Sequence, residues 1–142
     1  MKRSRLAVAH GLFNMAAGLW PLLHYRSFEA VSGPKTDAWL VKCVGGLAAG
    51  AGYAQLRGRT SPEGLAAARR IGVGTAGTFA AVDLIYGGTG RISPVYLLDA
   101  VVEAIWLKAW AKDLMVQRYD CPARPIDQRR RIGPASVLDV SS

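Results

Sequence analysis

The stretch DLIYGGTGRISPVYLLDAVVEAIW, residues 83–106, decides how many times this chain folds back on itself. Gly87-Gly88-Thr89-Gly90 can end one helix and turn the chain. Ser93-Pro94 then opens another, with serine as N-cap and proline at the first helical position. The segment after Pro94 is poor by hydropathy, because Asp99, Glu103 and Lys108 interrupt it. Its spacing is nevertheless helical. Tyr96, Asp99, Glu103, Trp106 and Trp110 recur at intervals of three and four and share a face, while Leu97, Leu98, Val101, Val102 and Ile105 mostly cover the rest. Such a helix hides its charges in a bundle and turns apolar surface outward, so residues 94–110 are expected to form a fourth long helix.

Three apolar stretches precede it. The first, LAVAHGLFNMAAGLWPLLH over 6–24, has roughly the ~20 residues that cross a ~30 Å hydrocarbon core. The cationic start Met1-Lys2-Arg3-Ser4-Arg5 resembles a signal peptide, but no small-x-small cleavage site follows, and Trp20-Pro21 with His24-Tyr25-Arg26 reads as an interfacial helix end. The second, 38–56, is announced by Gly33-Pro34, with Thr36 or Asp37 as N-cap. The third, 71–86, begins earlier in water at Ser61-Pro62-Glu63. From Asp120 onward prolines, Arg129-Arg130-Arg131 and serines replace the apolar pattern and read as a flexible tail. The expected fold is therefore all-α: a four-transmembrane-helix bundle over 1–119 with short loops, followed by a flexible basic cytoplasmic tail over 120–142.

A chain that is 51% hydrophobic yet carries a net charge of +8 must keep its charges apart from its apolar runs, and this one does. Lys2, Arg3 and Arg5, then Arg57, Arg59, Arg69 and Arg70, then the seven Lys and Arg residues from Lys108 to Arg131, fall on one side of the expected topology. Only Arg26, Lys35 and Arg91 fall in loops on the other. The positive-inside rule then places both termini in the cytoplasm, in a bacterial inner membrane crossed an even number of times. The basic tail faces anionic headgroups, each Lys or Arg attracted by about 1 kcal/mol, which accounts for the charge without nucleic acid. The bilayer is the expected partner. A second copy or another membrane protein is the candidate beyond it, although no face is plainly marked for one.

The ionisable groups inside the spans are the candidate site. At ~1.5 Å per residue, Lys42 lies about 6 Å inside the second helix and Asp83 a similar depth in the third. Asp99 lies about 9 Å and Glu103 about 15 Å into the fourth, with Asn14 near mid-depth on the first. All five fall in one layer of the outer half. Asp99 and Glu103, one turn apart, repel if both ionise in low dielectric, so a retained proton is expected there. On one reading Lys42 pairs with an acid and the layer is internal glue. On the other, an acid-rich cavity opening outward binds a proton, a cation or an amine-bearing ligand.

No CxxC, HExxH, GxGxxG after a strand, Walker lysine loop or GxSxG elbow is present. No cofactor, metal or catalytic constellation is therefore expected, and an enzyme is the least favoured class. Cys43 and Cys121 fall too far apart to pair. His10 is read as interfacial or hydrogen-bonded and His24 as a headgroup-level anchor. The segment around Glu29 is read as a short surface turn or helix with Phe28 and Val31 dipping inward. All four tryptophans suit an aromatic belt, with Trp106 alternatively lining the cavity. Gly46-xxx-Gly50, Ala48-xxx-Gly52 and Gly72-xxx-Ala76-xxx-Ala80 are expected to let helices approach closely.

The segments NMAAGLWPL (14–22), YRSFEAVSGPKTDAWLVKCVGGL (25–47) and residues 83–106 together resemble small uncharacterised bacterial integral membrane proteins of four predicted helices. They are more loosely similar to the four-helix architecture of DoxX-like proteins. The resemblance covers most of residues 10 to 110 and implies fold and membrane location only.

Overall fold

A computed structural model of the chain describes residues 3–120. It is helical throughout, with no strand among those residues. Helix α1 spans Arg3–Leu23, α2 Tyr25–Ser32, α3 Ala38–Arg57, α4 Pro62–Val82 and α5 Val95–Asp120. A 3-10 turn, Gly58–Thr60, joins α3 to α4, and a π segment, Asp83–Gly87, extends α4. The weakly apolar stretch after Ser93-Pro94 is thus a helix. The proposed basic tail lies outside the described residues beyond Asp120.

Local chemistry explains the boundaries. Ser61 Oγ accepts the Gly64 amide at 3.0 Å, and Pro62 occupies the first turn of α4, where its missing N–H costs nothing. Asp37 precedes α3, although its carboxylate makes no capping bond. His24 caps α2, its Nδ1 accepting from the Ser27 amide at 3.3 Å. Gly33 (φ +84°) follows α2 and Gly90 (φ +71°) turns the chain before α5, positions where a side chain would be strained.

The long helices alternate in direction and form two antiparallel pairs, α1 with α3 and α4 with α5. The α1–α3 seam is built on glycines seven residues apart on both helices. A Cβ on Gly45 would lie 2.6 Å from the Gly18 carbonyl oxygen, and one on Gly11 would lie 2.8 Å from that of Gly52. Two turns separate each glycine from the next, so the backbones touch at both points. Of the expected small-residue patterns, Ala48-xxx-Gly52 lies on this buried face, whereas Gly46 and Gly50 face open space. On α4 the expected stripe is buried: Ala68, Gly72, Ala76 and Ala80 turn inward.

The pairs meet at the end of the bundle that carries Arg5, Arg57, Arg59 and Arg70. Towards the α2 end they separate, and the backbones of α3 and α5 approach nowhere along their described length. Composition is inverted relative to a water-soluble bundle. Buried positions are mostly alanine and glycine, together with His10, Asn14, Gln55, Asp83 and Glu103. Leu23, Trp39, Leu47, Leu98 and Ile105 are left well exposed. One helix, over Ser4–Leu23, is long and apolar enough to cross a membrane by composition alone.

Candidate functional site

Two polar clusters occupy the interior, and they differ in kind. The first lies towards the basic end. Trp110 Nε1 donates to His10 Nδ1 at 2.9 Å, and Gln55 Nε2 reaches the same nitrogen at 3.3 Å and the Ala68 carbonyl at 3.3 Å. Asn14 Nδ2 donates to Gln55 Oε1 at 2.9 Å and to Thr75 Oγ1 at 3.4 Å. Trp106 stacks on the imidazole with centroids 4.5 Å apart. Because an indole nitrogen only donates, His10 Nδ1 must accept, and the ring is held as the neutral Nε2–H tautomer. Gly72 makes room for the cluster: a Cβ there would stand 2.5 Å from Trp110 Nε1 and 2.7 Å from Gln55 Nε2.

The second cluster lies towards the α2 end, where the helix pairs diverge around a cavity of about 290 Å³. Its walls are largely apolar, with Val41 and Val44 of α3 on one side and Phe79 of α4 among the others. Asn14, Asp83, Tyr96, Asp99 and Glu103 supply its polar groups. The π segment begins at Asp83, and its wider turn puts Asp83 and Gly87, four residues apart, on the same buried side. Asp83 and Asp99 both line the cavity, and carboxyls that share a low-dielectric site cannot all ionise. Glu103, one turn beyond Asp99, is buried, whereas Asp99 is half-buried. Asp83 Oδ2 and Glu103 Oε2 are buried without a hydrogen-bond partner.

Of the five candidate residues, four line this cavity. Lys42 does not join them. It is exposed, with its ammonium 5.9 Å from the centroid of the Tyr25 ring, because on α3 it flanks the Gly45–Gly52 seam on the side opposite Val41 and Val44, which line the cavity. Pairing of Lys42 with an acid is therefore not what the fold builds. Lys35, on the loop after α2, donates to the Ser32 carbonyl at 2.6 Å and lies over the Tyr96 ring.

Other readings are corrected as well. Of the two readings of His10 the hydrogen-bonded one holds, the ring being fully buried and not interfacial, and Trp110 is buried beside it and not in a belt. Trp106 lies against His10 and not in the cavity. Trp20 and Trp39 are exposed, Trp20 donating to Ser27 Oγ at 2.8 Å. Phe28 lines the cavity, whereas Val31 is exposed. Gln55, the hub of the first cluster, is a residue that the sequence reading misses. Its signal is a polar side chain three positions beyond Gly52, on the face that also carries Ala48. Among the described residues no three His, Cys, Asp or Glu side chains are grouped to hold a metal ion. Comparison with protein-family models, curated proteins and solved structures finds no match to this chain.

Proposed function

We propose that this chain is a four-span protein of the bacterial inner membrane, both ends in the cytoplasm, that binds a small molecule in the cavity between its helix pairs. The membrane reading is supported by the inverted composition. Large side chains such as Leu47 and Leu98 stand exposed while carboxyl and amide groups are buried, an arrangement that hydrocarbon tolerates and water does not. The hydropathy of α3 to α5 is lowered in part by the seam glycines Gly45, Gly52 and Gly72 and by the buried acids Asp83 and Glu103, which face the interior.

The observation that carries the binding reading is the contrast between the two clusters. Around His10 the side chains close on one another and line no cavity, although His10 Nε2 and Trp106 Nε1 are left without a partner, so the contrast lies in the open space and not in the number of unpaired atoms. Around Asp83 and Glu103 the space is empty and buried oxygens lack partners. A buried polar atom without a partner costs about 1–3 kcal/mol, a cost that a ligand's hydrogen bonds would offset. Reconstituted protein is expected to bind small aromatic probes of the benzyl class. Val44→Trp, which fills the cavity, is expected to abolish that binding without loss of thermal stability. Equal binding by wild type and Val44→Trp would sink this reading.

A further inference from the structure

The first cluster fixes the hydrogen-bonding character of the second. Trp110 can only donate and the Ala68 carbonyl can only accept, so the Gln55 amide is oriented with Nε2 towards His10 and Ala68 and Oε1 towards Asn14. Asn14 must therefore turn Nδ2 to Gln55 and Thr75, and only its carbonyl oxygen is left to offer a ligand. Asp83 and Glu103 present bare carboxyl oxygens, each on a residue at least 97% buried. Apart from the Tyr96 hydroxyl and whatever proton the crowded carboxyls retain, the polar wall of the cavity consists of acceptors.

We infer that the cavity selects protonated amines on a small apolar body, the ammonium lying among the Asp83, Asp99 and Glu103 carboxyls in place of a carboxyl proton. This rests on the reading of the cavity as a binding site. An ammonium has three donors and no acceptor, which matches oxygens from Asp83, Asp99 and Glu103, while the apolar walls take the hydrocarbon. The exchange balances: one R–NH3⁺ enters and one proton leaves to water, so the charge in the cavity is unchanged. The neighbouring groups do not compete for the carboxylates. On α1 they are Phe13 and Asn14, with His10 beyond them held neutral by Trp110. From α2 comes Phe28. Lys42 of α3 is turned to Tyr25, α4 contributes Asp83, and Lys35 is held at Ser32 and Tyr96. An anion would meet three carboxyls with the Tyr96 hydroxyl as the one side-chain donor outside them, and a metal ion would find no grouped ligands among the described residues.

The test is calorimetry on the full chain in nanodiscs with benzylamine, benzyl alcohol and benzoate, in two buffers of different ionisation enthalpy. Benzylamine is expected to bind about tenfold or more tightly than benzyl alcohol, as charge-assisted hydrogen bonds imply, with benzoate not bound. About one proton is expected to leave per amine. Glu103→Gln is expected to weaken benzylamine about tenfold, with an unchanged unfolding temperature of the unliganded protein reporting that the variant is folded. Asp99→Asn is the second variant should Glu103→Gln fail to assemble, with the same expectation. If alcohol and amine bind equally, the amine class is overturned and the cavity reading stands. If amine binds without proton release, the exchange is overturned. If no probe binds, both fall.

Discussion

The indole nitrogen of Trp110 lies 2.9 Å from Nδ1 of His10, a hydrogen bond that spans 100 positions of the chain. It joins the last long helix to the first, beside the stacking of Trp106 on the same imidazole, and it fixes the imidazole tautomer on which the orientation of Gln55 and Asn14 depends. Both side chains are fully buried, so neither has water as an alternative partner.

Removing that donor should be costly. Trp110→Phe keeps an aromatic ring but leaves His10 Nδ1 with Gln55 alone, and a loss of about 1–3 kcal/mol is expected. Reversible unfolding in mixed micelles measures it. Unchanged stability would show that the bond contributes nothing to assembly.

Gly72 is the space the network occupies. Its alanine variant would press a methyl group against Trp110, Gln55 and His10 at 2.5, 2.7 and 2.9 Å, and these partners cannot move apart without breaking their mutual bonds. Overpacking of this kind is expected to destabilise by about 1–3 kcal/mol. Gly74, with nothing near it, is the control, and Gly74→Ala should be neutral or mildly stabilising.

Gln55 separates polarity from shape. Gln55→Leu loses the network and should cost about 1–3 kcal/mol. Gln55→Glu nearly conserves volume but sets a second acceptor against His10 Nδ1 and the Ala68 carbonyl, so it should be the worse of the two. The same unfolding assay ranks them, and the reverse order would contradict the tautomer assigned to His10.

The α1–α3 seam makes neighbouring glycines opposite in behaviour. Gly45→Leu drives a side chain into the Gly18 carbonyl and Pro21, where only backbone and a ring can yield, and a loss of about 3 kcal/mol or more is expected. Gly46→Leu points into open space and should assemble normally in lipid. Retention of the folded monomer peak on size exclusion distinguishes them.

Topology is testable with thiol labelling. In a background with Cys43→Ser and Cys121→Ser, Thr36→Cys before α3 should react with a membrane-impermeant maleimide in intact cells. Thr60→Cys, between α3 and α4, should react only after permeabilisation. Labelling of both or of neither in intact cells would refute four crossings with cytoplasmic ends.

Helix positions were legible in the sequence because they depend on local terms. Ser61-Pro62 marks a start through capping and the fixed φ of proline, Gly33-Pro34 and Ser93-Pro94 mark breaks in the chain just ahead of α3 and α5, and the three-and-four spacing from Tyr96 to Trp110 depends only on helical pitch. The gathering of Asn14, Asp83, Asp99 and Glu103 was also legible, since depth along antiparallel helices comes from counting residues. Rotation about each helix axis was not. Lys42 sits at the right depth but on the wrong face, and the Gly46-Gly50 pair looks like a seam only until Gly45 and Gly52 are seen against Gly18 and Gly11.

The sequence by itself determined an all-helical chain, its segment ends, and a layer of acids too polar to face hydrocarbon. The tertiary structure decided which of those groups are partnered. Trp110, His10, Gln55 and Asn14 come from three helices, and the bond order among them is set by which nitrogen can donate to which acceptor once the helices are rotated into place. That same rotation parts α3 from α5 at the α2 end, and so leaves Asp83 and Glu103 facing a cavity while the other cluster is closed.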